Sequence, residues 1–395
     1  MDKNFRLDLS DLPKELRLIL ELLRSPNTEN ICVNSQDLLT DIDWDLFIAQ
    51  TKHHRVYPIL NTKIKLLDED LIPPFVFQYL NQQYKKNTFQ MLHLSAEMEQ
   101  VCKLFSQEGI RTLFLKGPVL AQELYGDISL RTSSDVDFLI PIQELEQAEE
   151  LLVKLGYEKD DYIETVLNDW RWRHHHVTYF HPYKRIKLEV HWRLNPGPGK
   201  EPTFNELWER KSRSTLTSSP IYLLGREDLF LFLVSHGARH GWSRLRWLID
   251  IKQLMKQEVK WETAYKLLKS YGYHHVGGQG IILALQLLHT DFLDEMGPML
   301  VSERSQRLAQ EAIFYLETMV NLHTDPVPED VARYHKHHLF SLMSYRQKFF
   351  FIISFLHPYP EDAETLPLPE KLHFLYFPLR PLLWAWRKTR KHALP

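Results

Sequence analysis

Apolar residues recur at helical spacing from the start of the chain. In DLPKELRLILELLRS, Leu16, Ile19, Leu20 and Leu23 fall on one face, and Asp11 and Pro13 mark the start of a helix. DIDWDLFIAQTKHHRVYPIL repeats the pattern as a second helix that Pro58 is expected to end. PPFVFQYLNQQYKKNTFQMLHLSAEMEQVCKLFSQEG continues it, as one helix or two, up to Gly109. The pattern then changes. RTLFLKG, residues 111–117, is a short β-type run closing on Lys-Gly. PVLAQELYG predicts a helix with Pro118 in its first turn, SDVDFLIP a second strand, and IQELEQAEELLVKLG a helix ending at Gly156. RWRHHHVTYF, HPYK and RIKLEVHWRL predict a strand, a turn and a strand. From about residue 200 the helical period returns, through GREDLFLFLVSHGARHGWSRLRWLIDIKQLMKQ (two helices), WETAYKLLKSYG, GGQGIILALQLLHTDF and SQRLAQEAIFYLETMVNL. HTDPVPED and HPYPEDAETLPLPEK read as Pro-rich connections.

This order gives an α+β fold: an N-terminal helical region over residues 1–105, an α/β core with a small mixed sheet over 106–198, and a C-terminal helical domain over 199–395. A chain of 395 residues with 44 % hydrophobic residues buries a sizeable core without cross-links. The net charge of −3 argues against a globally basic nucleic-acid binder. The two cysteines, Cys32 and Cys102, make no disulfide framework and no zinc spacing, which favours a reducing, cytoplasmic setting. The N-terminus lacks a secretory pattern, and the most apolar stretch, KFFFIISFLHPYP, is broken by His357 and Pro358. It falls short of the roughly 20 apolar residues that a spanning helix needs.

The chemistry concentrates in RTSSDVDFLI. In a strand, residues two apart share a face, so Asp135 and Asp137 project together and Val136 points the other way. Two such carboxylates repel each other, and a divalent ion relieves the repulsion while bridging to phosphate oxygens. Glu189, inside the apolar run KLEVHW, offers a third carboxylate from a later strand. Taken alone, Asp-x-Asp at a strand mouth is more often an edge or capping feature, and Glu189 more often decorates a half-exposed strand.

The order of motifs resembles the nucleotidyltransferase fold of the DNA polymerase β superfamily, in which a strand ends in a glycine turn, a helix follows and the next strand carries Asp-x-Asp. It is similar in more detail to the uncharacterised nucleotidyltransferase family, over roughly residues 45–300. The matching residues are Leu115, Lys116 and Gly117; Tyr125, Gly126 and Asp127; Arg131; Asp135 and Asp137; Glu189, His191 and Trp192; and SHGARHGWSRLRWLIDI. The resemblance implies transfer of a nucleoside monophosphate from an NTP to an unidentified acceptor (a small molecule, a peptide or protein, or an RNA end), with Mg²⁺ or Mn²⁺ as cofactor. Asp135, Asp137 and Glu189 would be the catalytic and metal-binding carboxylates. Gly117 would admit the phosphates to the backbone, Lys116 and Arg131 would neutralise them, and Ser133 and Ser134 would donate to them. Arg131 has an alternative reading as a structural ion pair that holds Asp135 and Asp137. The turn KGPV departs from the wider superfamily, since Pro118 supplies no N–H and no serine follows; the spacing is closer to that of toxin-type nucleotidyltransferases. A degenerate module that binds or senses a nucleotide without turnover is the alternative function. The charge balance disfavours long nucleic acid as acceptor without forbidding it. Nothing in the sequence fixes the oligomeric state.

Three further features carry weaker readings. In RWRHHHVTYFH, strand alternation leaves only His174 and His176 on a common face; with no companion cysteine they read as neighbours of phosphate or acceptor, not as a zinc site. Arg239, His240, Arg244 and Arg246, with Trp242 and Trp247, form a basic aromatic cluster, which the resemblance makes a candidate wall for the base or triphosphate, since in nucleotidyltransferases the following helical domain commonly covers the base; Asp250 reads as an ion-pair partner or cap. The C-terminal FLYFPLRPLLWAWRKTRKHALP, with Arg387, Lys388, Arg390, Lys391 and His392, reads as a docked aromatic helix with a solvated basic tail, in preference to peripheral contact with a membrane or nucleic acid.

Overall fold

The computed structural model describes residues 5–24, 38–65, 67, 71–160, 170–197, 199–322, 324 and 326–391, except the side chains of residues 172, 390 and 391. Cys32 and His392 lie outside the described residues. Helix α1, Lys14–Arg24, buries Leu16, Ile19, Leu20 and Leu23, as its periodicity requires. The next pattern splits in two: α2, Trp44–His53, and α3, Tyr57–Ile64. Arg55 turns to a positive φ of 55° between them. Pro58 opens α3 where it was expected to end a helix, because a missing N–H costs nothing in a first turn. The long pattern is a single helix, α4, Pro74–Gln107, followed by Gly109 at φ 78°.

The seven-stranded sheet runs β3-β4-β5-β2-β1-β7-β6. Its strands are β1 Leu113–Phe114, β2 Asp135–Leu139, β3 Glu158–Lys159, β4 His176–His181, β5 Ile186–His191, β6 Ser212–Arg213 and β7 Tyr222–Leu223. β2 pairs in parallel with β5, and β1 with β7; the other pairs are antiparallel. Helix α5, Pro118–Tyr125, follows β1, and α6, Leu145–Lys154, follows β2. RWRHHHVTYF is only partly a strand: Trp170–Arg173 form a helical turn, held where Trp192 Nε1 donates to the Arg171 carbonyl at 2.8 Å. β6 and β7, each two residues long, complete the sheet from beyond residue 198.

The later helices are α7 Arg226–Arg239, α8 Leu245–Met255, α9 Trp261–Tyr271, α10 His274–Leu288, α11 Glu303–Glu317, α12 Glu329–Leu342, α13 Tyr345–Ser354 and α14 Tyr376–Lys391. Two cores result. In one, Met91, Leu94 and Phe105 of α4 pack with Val136, Phe138, Leu188 and Val190. Those four residues alternate with Asp135, Asp137 and Glu189, so the carboxylates lie on the opposite face of the sheet. In the other core, α1 to α3 pack with α7, α8 and α10, and Trp242 is fully buried. The C-terminal helix docks through less of its surface than expected. Tyr376 and Leu383 are buried, but Leu382, Trp384 and Trp386 are exposed. Among the described residues no helix is long and apolar enough to cross a membrane.

Candidate functional site

The parallel pairing of β2 with β5 sets Asp135 opposite Lys187, Asp137 opposite Glu189 and Leu139 opposite His191. One face of two adjacent strands therefore presents two charged pairs in a row, followed by His191. Asp137 is fully buried; Lys116 Nζ lies 2.7 Å from its Oδ1 and His191 Nε2 3.5 Å away. Lys187 Nζ lies 2.6 Å from Glu189 Oε1 and 3.5 Å from Asp135 Oδ2. Asp135 sits at the mouth. The Ser133 hydroxyl donates to its carbonyl at 3.1 Å, and the Ser134 hydroxyl to its carboxylate at 3.4 Å. Both serines, expected on phosphate, thus hold Asp135 in this structure.

Above this face opens a cavity of about 920 Å³. Lys116, Asp135, Lys187, Glu189, Ser133 and Ser134 line it on the sheet side. Arg239, His240, Arg244, Arg246 and Trp247 line it from the helical side, with Arg55 and Lys336. The basic cluster therefore faces the carboxylates, but Trp242 does not; it is a core residue packed against Gly237 and Gly280. Gly117 has φ 84°, a conformation that favours glycine. A Cβ there would stand 3.6 Å from the Asp135 carbonyl oxygen, so the turn lies close against β2. Arg131 is buried at the cavity wall and paired bidentately with Asp250, Nε to Oδ1 at 2.9 Å and Nη2 to Oδ2 at 3.0 Å. Its fork is committed there and is not offered to a phosphate; it is a structural ion pair, but with Asp250, which reads as such a partner, and not with Asp135 or Asp137. Arg244 donates to the His53 carbonyl at 2.8 Å, and Arg246 to Thr132 Oγ1 at 3.0 Å.

The histidine run departs from strand alternation. The chain leaves a helical turn at Arg173 and the strand starts only at His176, so His175 and His176 both enter the cavity, with His176 Nδ1 and His175 Nε2 3.2 Å apart. His176 stacks on His191 at 4.9 Å. Burial, reinforced by the neighbouring His191, pushes His176 down to about 3. Burial opposes charge on His191 as well, but the adjacent Asp137 and Glu189 raise it. Burial alone would raise Glu189; the His191 ring and the Lys116 charge outweigh it and hold the carboxyl below its usual range.

Two residue groups have ligand atoms within 4.8 Å of one another: Asp137, Glu189 and His191, and His175, His176 and His191. Both carboxylate oxygens of Asp137 and both ring nitrogens of His191 are buried without a hydrogen bond. Buried polar atoms left this way fit a metal ion. Two carboxylates and an imidazole suit Mn²⁺ or Zn²⁺ as well as Mg²⁺, and the three imidazoles suit a borderline ion such as Zn²⁺. Asp135 lies outside both groups, because Ser133, Ser134 and Lys187 hold its carboxylate at the mouth. His191 and Lys187 are the residues the sequence reading left without a role. Their signal was present, since Lys187, Glu189 and His191 fall two apart in one strand and share a face.

A small mixed sheet, flanked by helices and carrying this order of motifs, is the α+β fold of a nucleotidyltransferase-type protein. The family model for uncharacterised nucleotidyltransferases matches residues 40–289, and the chain belongs to that family. No curated protein and no solved structure matches the chain.

Proposed function

We propose that the protein transfers a nucleoside monophosphate from a nucleoside triphosphate to an acceptor and releases pyrophosphate, with Mg²⁺ or Mn²⁺ as the ion. The observation that carries this reading is the β2–β5 register, which sets Asp137 beside Glu189 beneath a cavity walled by arginine and lysine. Asp137, Glu189 and His191 would hold the ion, with Asp135 reaching it from the mouth. When bound, the ion supplies positive charge to the phosphate oxygens and to the leaving pyrophosphate. Lys116, Lys187 and Arg246, which line the cavity, would bind and orient the triphosphate, and Trp247 would offer a flat wall for the base. An acceptor oxygen then attacks the α-phosphorus in line as the bond to the bridging oxygen of the β-phosphate breaks.

Pyrophosphate release from each NTP, with Mg²⁺ and an extract of small molecules and macromolecules as acceptor pool, tests this. An α-labelled NTP then identifies what becomes labelled. Asp137→Asn is expected to lower release by at least ~100-fold. Unchanged release in that variant would falsify the assignment. Tight NTP binding with no turnover in any pool points instead to a nucleotide-sensing module.

A further inference from the structure

A second, smaller cavity of about 370 Å³ adjoins the basic one. Pro196, Arg239 and Leu339 line both. Its size suits a small organic ligand. Its floor comes from α7 and α10, through Ala238, Arg239 and Val276; its roof comes from α12 and α13, through Leu342 and Phe351. Arg173 and Arg239 are the only charged residues among its described lining. Arg173 is already engaged, donating to the Pro358 carbonyl at 3.3 Å and stacked over Tyr359 at 4.4 Å.

Arg239 is different. It lies partly buried between the two cavities, and its Nη1, itself out of contact with solvent, makes no hydrogen bond. Its other polar contact, Nη2 to His236 Nδ1, is 3.4 Å long. Among the described residues no carboxylate stands within ion-pair distance of it. A guanidinium in that state is costly unless an anion joins it. Asn195, on the same lining, has a buried Nδ2 that also lacks a partner. Two idle donors in an otherwise largely apolar cavity define a ligand with one oxyanion and an apolar body.

We propose that this second cavity is the acceptor site, and that the acceptor is a small apolar molecule whose terminal oxyanion is held by Arg239 and Asn195 and faces the basic cavity. The word acceptor rests on the nucleotidyl-transfer reading; the oxyanion pocket itself does not. In the reaction an oxygen of that anion forms the new bond to the α-phosphorus. The bond from the α-phosphorus to the bridging oxygen of the β-phosphate breaks, and its electron pair leaves with pyrophosphate. A carboxylate or phosphate nucleophile needs no proton removed, so the step balances with no further reactant.

Calorimetric titration of the full chain with 3-phenylpropionate, phenyl phosphate and the neutral 3-phenylpropionamide tests the pocket and separates a carboxylate from a phosphate head. At least one anion is expected to bind, with the amide at least tenfold weaker. Arg239→Gln is expected to lower anion affinity at least tenfold. Ser354→Phe, which fills the cavity from the roof, is expected to abolish anion binding while Mg-NTP binding stays unchanged. Equal binding of anion and amide, anion binding unaffected by either variant, or no anion binding in a chain that turns over Mg-NTP would overturn the inference. Anion binding in a chain that neither binds nor turns over any NTP would instead defeat the transfer reading, and with it the acceptor role.

Discussion

Asp137 carries a carboxylate fully out of water, with the Lys116 ammonium and the His191 imidazole beside it. Such a group is tolerable only where positive charge is supplied to it. His191, beside both Asp137 and Glu189, brings an imidazole into what is otherwise a set of hard oxygen donors. Imidazole favours Mn²⁺ over Mg²⁺. His191→Asn is therefore expected to lower the ratio of Mn²⁺-supported to Mg²⁺-supported pyrophosphate release several-fold. An unchanged ratio removes His191 from the ligand set. In the sequence, strand periodicity put Asp135 and Asp137 on one face, and the order of motifs, through its resemblance to the family, singled them out together with Glu189. His191 was quoted there as part of a motif, but its place beside Asp137 depends on the parallel register of strands about fifty residues apart, which no local pattern states.

At the scale of elements, one buried tie fixes the entry to β2. Arg131 reaches Asp250 of α8 across 119 residues of chain, and Tyr125 of α5 donates to the same carboxylate at 2.7 Å. The tie joins the loop before Asp135, the helix after Lys116 and the helix bearing Arg246. Asp250→Asn leaves the Arg131 guanidinium buried without its counter-charge, which costs about 3–5 kcal/mol. The expected result is a lower denaturant midpoint with an unchanged slope; a midpoint like that of the wild type would show that the tie carries no stability. In the sequence Arg131 stood near Ser-Ser-Asp-x-Asp and read as a phosphate ligand or as an ion pair to those aspartates, because Asp250 lies too far along the chain for the pairing to be seen. Helices with a strong apolar period were legible to within a few residues. The two-residue strands β6 and β7 were not, since two residues cannot display an alternation.

At the scale of the molecule, the helices before and after the sheet share one apolar core, and neutral histidines are built into the C-terminal helices. Burial pushes His275 down to about 3 and His338 to about 4, from an ordinary 6.5. As pH falls through 6.5 the unfolded chain takes up protons that the folded chain refuses until about 4, so stability falls over that window. Each such site contributes up to about 1.4 kcal/mol per pH unit. Unfolding free energies measured from pH 7 to pH 5 are expected to fall, with a shallower slope in His338→Asn. An identical slope would show that His338 is not a source of the acid sensitivity.

The roof of the smaller cavity has a consequence for how such a protein diversifies. Leu339, Leu342, Gln347 and Phe351 all follow residue 289, where the family match ends, whereas Asp135, Asp137, Glu189 and Arg239 lie within it. On the proposed reading, the metal-facing carboxylates and the floor of the pocket, with Asn195 and Arg239, lie within the family match, and only the roof comes from beyond it. On that reading, a different later stretch would reshape the roof, and so what the pocket admits, while Asp137, Glu189 and Arg239 stay in place, and chains with equivalent carboxylates would not need to share a substrate.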